Sequence, residues 1–129
     1  MKKLILIIMM VVAGFTAYSQ QDYNLERALL TDNVVNREPG LSTSKFNLYS
    51  KGYFYTEFKN IGEERTIYHN WYYLGEEDEK TLTASVELKI AGFRWRTWST
   101  KHLYLPGKWK VEVVDDEDNL ITETTFTVE

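Results

Sequence analysis

The sequence TLTASVELKI at residues 81–90 alternates polar and apolar side chains without a break. Its apolar positions are Leu82, Ala84, Val86, Leu88 and Ile90. Side chains of a β-strand point alternately to its two faces, so one face of this segment is buried and the other meets water, as in an antiparallel sheet. No segment of ten or more residues has the 3.6-residue period of a helix. The pattern therefore predicts an all-β fold.

Shorter alternating segments lie on both sides of residues 81–90. Strands are predicted within residues 25–35, 44–49, 53–59, 66–74, 93–99, 108–114 and 120–128. Turns are predicted at 36–40, where Pro39 and Gly40 supply the turn chemistry, around Gly62, at 75–80 and at 115–119. About seven or eight short strands at this spacing predict an immunoglobulin-like antiparallel β-sandwich, and an up-and-down barrel is the alternative.

The alternation also predicts which side chains share a face. In 66–74, one face carries Ile67, His69, Trp71 and Tyr73, and the other carries Tyr68, Asn70 and Tyr72. In 93–99, Phe93, Trp95 and Thr97 lie opposite Arg94, Arg96 and Trp98. Aromatic residues make up 15% of the chain and cysteine is absent, so the core has to be held by aromatic packing instead of disulfides. Trp71 and Trp109 are predicted to lie in that core.

The first residues have the order of a secretory signal peptide. Lys2 and Lys3 precede an apolar run over 4–13, and small residues follow at Ala17 and Ser19. The run is about half the length of roughly 20 residues that a spanning helix needs, although an uncleaved anchor is the alternative. We expect a signal peptide at 1–19 and a single domain at 20–129, located outside the cytoplasm in the periplasm or beyond. Without cysteine there is no lipid anchor.

Charge and length exclude several classes of function. The formal net charge of −4 becomes −6 when Lys2 and Lys3 leave with the signal peptide. Nucleic acids and anionic headgroups require a basic surface, so neither is an expected partner. A chain of 129 residues is too short for two ordinary domains, which excludes a two-domain cleft enzyme.

The stretch around Arg94, Arg96 and Trp98 is the most distinctive candidate site. On one face of a strand, guanidinium groups can stack on an indole ring. One interpretation is a structural ladder with acidic partners nearby, and the other is an anion or glycan site in which the arginines hold a carboxylate or phosphate. Tyr68 and Tyr72 add a second candidate, an aromatic patch for a protein or glycan if their face is exposed.

Catalytic and metal-binding patterns are missing. His69 and His102 have no partner at ligand spacing, so His69 is predicted to be a hydrogen-bonded structural residue. The acidic clusters at 76–79 and 115–118 do not match a calcium loop and are predicted to be solvated hairpin tips. No nucleophile elbow or glycine-rich phosphate loop occurs. We expect no cofactor, no metal and no enzymatic activity.

Several segments, taken in order, resemble a known bacterial family, the domain of unknown function 2914. They are VNREP at 35–39, residues 53–60, HNW at 69–71, FRWRTWSTK at 93–101, and GKW at 107–109 through FTV at 126–128. The resemblance runs from about Glu26 to the end and implies a bacterial, extracytoplasmic β domain without an assigned activity. The family's last hairpin usually carries a glycine; residues 115–119 have none, and we expect Asn119 to adopt the positive φ that this turn needs.

These patterns predict an exported, non-catalytic binding domain of the bacterial cell envelope, whose ligand is a protein or a polysaccharide. Two alternatives remain open. One is a small envelope hydrolase that uses a pair of carboxylates, which any two strands could supply. The other is a passive structural domain that assembles through an open sheet edge. The sequence predicts no particular oligomeric state.

Overall fold

The computed structural model describes residues 23–75 and 79–129, so the predicted signal peptide lies outside the described residues. This part of the chain forms eight β-strands and no α-helix, which confirms the all-β prediction. The strands are β1 Leu25–Thr31, β2 Val34–Val35, β3 Glu38–Pro39, β4 Lys45–Phe46, β5 Lys51–Tyr73, β6 Thr81–His102, β7 Gly107–Asp115 and β8 Leu120–Val128. None of the described residues belongs to a helix able to cross a membrane.

Two of the strands are much longer than the pattern predicts. Strands β5 and β6 have 23 and 22 residues and pair antiparallel along their whole length. The predicted turn around Gly62 is wrong, as is the break between 81–90 and 93–99. Irregular register occurs instead between Lys59 and Arg65, with positive φ at Asn60, Gly62 and Gly92. These bulges bend a continuous hairpin where turns were expected.

The bend folds the hairpin back on itself. Thr56 and His69 belong to β5, and 13 residues of straight strand would separate them by roughly 44 Å. Their side chains are in fact 3.2 Å apart. The sheet therefore curls into two facing layers.

The six-stranded sheet is divided between these two layers. We call the first layer β1 with residues 51–59 of β5 and 94–102 of β6; the second layer is β7, β8 and β4 with residues 65–73 of β5 and 81–90 of β6. The small β2–β3 hairpin forms a separate two-stranded sheet. The result is the predicted immunoglobulin-like sandwich, built around one long hairpin that contributes to both layers.

The core lies between the layers, where the predicted inward faces meet. Trp71 and Trp109 are fully buried, as the alternation predicts, and both rings contact Phe126. The other fully buried residues of the core include Phe54, Phe58, Ile67, Ile90, Leu103, Val111 and Val113. Aromatic packing therefore supplies much of the interior of a chain that has no cysteine.

Two turns differ in detail from the expectation. The first hairpin turns at Asn36 and Arg37, which both have positive φ, as a type I′ turn requires, while Pro39 lies in β3. In the last hairpin, Asp118 and not Asn119 adopts the positive φ. The Asp115 carboxylate accepts the backbone N–H groups of Glu117 and Asn119 at 2.9 and 2.8 Å, which closes this turn without glycine.

Candidate functional site

A groove of about 490 Å³ runs along the outer edge of β6. We call it the β6 groove. It is lined by Arg37, Glu87, Leu88, Lys89, Arg94, Trp95, Arg96, Thr97 and Trp98. Since β6 bends near Gly92, its segments 87–89 and 94–98 form the two arms of this concavity.

The lining of the groove is cationic although the chain is acidic. Four cations, Arg37, Lys89, Arg94 and Arg96, face a single carboxylate, Glu87. The whole chain has a net charge of −4. Lys89 Nζ lies 3.6 Å from Glu87, so part of this charge is neutralised within the groove. When Arg27 and the carboxylates that pair with these cations (Glu38, Glu57, Glu64 and Glu87) are counted, five cations meet four carboxylates. The groove therefore keeps a positive excess on an acidic molecule, and such an excess attracts anions.

A buried carboxylate holds the arginines in place from behind. Glu57 lies on the outer face of β5, opposite Arg96, and its side chain is only 3% exposed. Its two oxygens accept Nε–H groups from Arg27 at 2.8 Å and from Arg94 at 2.5 Å. Burial alone would raise the pKa of Glu57, but the hydrogen bonds from Arg94 and Arg27 outweigh it and lower that pKa. Glu57 is therefore an ionised anchor for the guanidinium groups.

The β2–β3 hairpin supplies the second anchor. Glu38 accepts a hydrogen bond from Arg96 Nη1 at 2.6 Å and another from Arg27 Nη2 at 3.3 Å. The bond from Arg96, with that from Arg27, lowers the pKa of Glu38. Acidic partners thus lie near Arg94 and Arg96, as the structural interpretation of this stretch expected. Because their carboxylate partners occupy only one or two donors each, further N–H donors remain on each five-donor guanidinium group.

Arg37 extends the groove from the turn of the same hairpin. Its φ is +66°, a left-handed conformation that is costly for a side chain of this size. The Tyr55 hydroxyl donates to the Arg37 carbonyl at 2.7 Å and so holds the turn against the sheet. Among the described residues, no carboxylate forms an ion pair with Arg37, so its charge stays available.

The aromatic contacts differ from the predicted ladder. Trp98 stacks on Tyr55, with ring centroids 6.0 Å apart and planes 13° apart, and the guanidinium above Tyr55 belongs to Arg27. Trp95 points to the inner face beside Phe58, yet 40% of it is exposed, because β6 is the last strand of its layer. The groove therefore has a cationic side next to Trp98 and an apolar side at Trp95.

Tyr68 and Tyr72 do not reach this groove. They lie on the outer face of the second layer, whereas Tyr55 lies on the outer face of the first. Both are half-buried, and Lys80 Nζ sits 4.6 Å from the centre of the Tyr72 ring. The five predicted binding residues are thus divided: Arg94, Arg96 and Trp98 come together, and the two tyrosines form a separate surface.

His69 is buried in a chain of hydrogen bonds between the layers, which confirms the predicted structural role. Its Nδ1 lies 2.8 Å from Ser99 Oγ and its Nε2 lies 3.2 Å from Thr56 Oγ1. Trp71 Nε1 donates to Ser99 Oγ at 3.0 Å, and Thr56 Oγ1 donates to the Thr97 carbonyl at 3.2 Å. In one tautomer of the ring, each of these N–H and O–H groups donates to an acceptor: Nε2–H donates to Thr56 Oγ1, and Nδ1 accepts from the Ser99 hydroxyl. Burial lowers the pKa of His69 to about 3, so the ring is neutral.

The acidic clusters assemble no metal site in the part of the chain that the structure describes. No group of three or more histidine, aspartate or glutamate side chains converges there. Asp115 is occupied by its own turn and by Tyr23, whose hydroxyl donates to its Oδ2 at 3.1 Å. Residues 76–78 of the other cluster lie outside the described residues.

Comparison with solved structures supports the class of fold. An immunoglobulin-like protein from Pseudomonas aeruginosa matches 86% of this chain and 99% of its own, with a TM-score of 0.53 and 12% identity. Part of the Pseudomonas fluorescens alkylpurine DNA glycosylase AlkC, determined with DNA containing an abasic site analogue, matches 84% of this chain with a TM-score of 0.60 and 10% identity. This chain spans only 30% of that glycosylase. Fold and groove thus define a small immunoglobulin-like domain with a cationic edge groove.

The family follows from the sequence comparison. The model of the family described as "Protein of unknown function (DUF2914)" matches residues 64–128, half of the chain. This protein belongs to that family, as the resemblance predicted. Comparison with curated proteins gives no significant match. The landmarks at 35–39 and 53–60, which carry Arg37, Glu38 and Glu57, lie before the matched region.

Sequence reasoning missed the residues that organise the groove. Arg27 and Glu57 come from β1 and β5, which strand pairing brings close to β6. Arg37 and Glu38 come from the separate β2–β3 hairpin, which is held there by side-chain contacts with Tyr55, Arg27 and Arg96. One signal was present in the sequence. Glu57 interrupts the aromatic run from Tyr53 to Phe58, and a carboxylate in so apolar a strand requires a cationic partner.

Proposed function

We propose that this protein is an exported, non-catalytic binding domain of the bacterial cell envelope, and that its β6 groove binds an anionic ligand on a protein or a polysaccharide. The observation that carries the proposal is the sign of the groove. Four cations and two indole rings converge there on an acidic molecule. Guanidinium groups that are already oriented by Glu57 and Glu38 lose little conformational freedom when they bind a carboxylate or phosphate.

A binding role fits the carboxylates better than hydrolysis does. A glycosidase needs one carboxyl group whose pKa is raised, so that it can donate a proton. Glu57 and Glu38 have lowered pKa values because arginines donate to them. Both are therefore unsuited to be the general acid, although they lie behind a groove that is lined by Trp98.

Export is proposed on the sequence of residues 1–19. Two lysines, an apolar run and small residues follow in the order of a signal peptide. The family resemblance implies the same location. The test is a fusion of residues 1–19 to a reporter enzyme that folds only outside the cytoplasm. We expect the fusion to be active. The activity should be lost when Leu6 and Ile7 are both changed to Lys.

Binding is tested with two negatively charged polymers, one a polysaccharide and the other a polypeptide. The purified protein is titrated by calorimetry with polyglucuronate and with poly-glutamate, at low and at high salt. We expect at least one of them to bind, with weaker binding at high salt because the groove contacts are screened. Dextran, a neutral polysaccharide, is the control probe.

Two matched variants locate the binding. Arg96→Gln removes one charge from the groove, and Lys45→Gln removes one charge from β4, at the opposite edge of the second layer. We expect Arg96→Gln to weaken binding about tenfold or more, since a charged hydrogen bond contributes roughly 1.5–3 kcal/mol. Lys45→Gln should leave it unchanged. Equal effects of the two variants, or no binding of either polyanion, would refute the proposal.

A further inference from the structure

The outer edge of β6 is a long strand edge without a partner in the described residues. Within the described residues, β6 pairs only with β5, on its inner edge. It is therefore the last strand of both layers, and its outer edge is free along 22 residues. The opposite end of the second layer is closed by β4, which has only two residues. An unpaired edge offers a row of backbone N–H and C=O groups, and proteins usually shorten or cover such edges. This one remains long and contains the β6 groove.

The side chains beside this edge alternate in a way that suits an added strand. Arg94, Arg96 and Trp98 point to the outer face, and Trp95 and Thr97 point to the inner face. A strand that pairs with residues 94–98 places its own side chains alternately next to these two sets. Acidic residues would then meet the arginines, and apolar residues would meet the exposed part of Trp95.

A polysaccharide satisfies only part of this arrangement. Sugar carboxylates can pair with the arginines, but a sugar chain offers no regular row of N–H donors and C=O acceptors for the backbone of β6. An extended peptide offers both, because its amide groups point to each edge at every second residue. The free edge and the charge of the groove together therefore favour a peptide.

We propose that the partner is an extended acidic segment of another protein, which adds to β6 as a further strand with acidic and apolar residues in alternation. This inference rests on the proposed function and names the partner class of the same groove. Backbone hydrogen bonds to residues 94–98 supply much of the affinity, and the arginines select acidic side chains.

The test compares peptides that differ only in backbone donors. The purified full protein is titrated by calorimetry with acetyl-EVEVEVE-amide, and then with two versions that are N-methylated on all glutamate amides or on all valine amides. Each set of amides lies on one edge of the extended peptide. We expect one methylated version to bind at least tenfold more weakly and the other to bind within about threefold of the parent, since only one edge meets β6.

The protein variants and a second polymer separate the possible results. Arg96→Gln should weaken peptide binding about tenfold or more, and Lys45→Gln should not change it. Equal binding by all three peptides would refute strand addition. Binding by polyglucuronate alone would also refute it. If Arg96→Gln weakened the binding of that polymer, the proposed function would remain intact. Absence of binding by peptide and polymer alike would refute both. Pairing of two copies of this protein through β6 would appear as a dimer in sedimentation and would also overturn the inference.

Discussion

His69 connects the two layers through hydrogen bonds that only a neutral ring can make. A proton on Nδ1 would remove the acceptor for the Ser99 hydroxyl, whose oxygen already accepts from Trp71. The ring is completely buried, and no carboxylate contacts it in the described structure. The sequence placed His69 on the buried face, but Thr56 and Ser99 could not be identified as its partners, because they meet it only when the long hairpin folds over.

The neutral state of His69 predicts a pH dependence of stability. In the unfolded chain, the ring of His69 binds a proton below pH 6.5. In the folded protein, its pKa is lowered to about 3, so it stays neutral over this range. The free energy of unfolding is therefore highest above pH 6.5 and falls as the pH is lowered, because the unfolded chain takes up one more proton. Its slope approaches about 1.4 kcal/mol per pH unit. Urea unfolding at pH 7.0, 6.0 and 5.5, above the range of the carboxylates, measures this slope. We expect His69→Gln to abolish it and His102→Gln, on the surface, to retain it.

The two buried indoles are predicted to contribute most to stability. Trp71→Ala and Trp109→Ala each leave a large cavity, so we expect each to lower the free energy of unfolding by about 3–5 kcal/mol. Trp95→Ala is the matched control: this indole is 40% exposed, so the loss should be clearly smaller than at the two fully buried positions. Chemical denaturation provides the comparison. A similar loss for all three variants would contradict the assignment of the faces.

Glu57 combines a buried charge with two arginines. Replacing Glu57 by Gln leaves Arg27 and Arg94 without their closest carboxylate, and we expect a loss of about 2–3 kcal/mol, below the usual range for a fully buried pair because both arginines are partly exposed. Glu123→Gln, at a partly exposed ion pair with Lys110, which keeps Glu112 as a second carboxylate partner, should change stability by less than about 1 kcal/mol. Equal stability of the Glu57 variant and the native protein would show that the arginines do not need this anchor.

The long β5–β6 hairpin determines the shape of the sandwich. Its bend depends on Gly62 and Gly92, which pair with each other and both have positive φ. In a sequence, Asn60 and Gly62 favour a turn and a bulge equally, since both need the same backbone freedom. The decisive partner, Gly92, is 30 residues away, so local patterns predicted the strands of this element and their faces but not their continuity.

A substitution at Gly92 tests the bend without a steric clash. A Cβ at this position meets no atom within 4 Å, so any cost comes from the backbone conformation alone. We expect Gly92→Val to destabilise the protein by about 1–2 kcal/mol and Gly92→Asn by clearly less, because asparagine tolerates positive φ. Thr100→Val, at an exposed position of the same strand, is the control. If the valine and asparagine variants at Gly92 were equally stable, the bend would not depend on this φ.

For the whole molecule, the sequence predicted the fold class and part of the candidate site. The alternation at 93–99 grouped Arg94, Arg96 and Trp98 correctly, because that grouping depends on one strand only. The groove also requires Arg37 from another sheet and a free edge on β6, which are properties of the tertiary arrangement. A residue pattern has no information about which strand ends a sheet, so an open edge could be expected in general, but neither its location on β6 nor the groove beside it could be predicted.

The central claim is that ligands bind at the edge of β6, and hydrogen–deuterium exchange measures this most directly. The full protein is compared with and without saturating acetyl-EVEVEVE-amide, and the exchange of each backbone segment is followed. Slower exchange concentrated in residues 87–98, with β4 and the Tyr68–Tyr72 surface unchanged, is the predicted result. Unchanged exchange in residues 87–98, or slower exchange confined to another part of the sandwich, would contradict the claim.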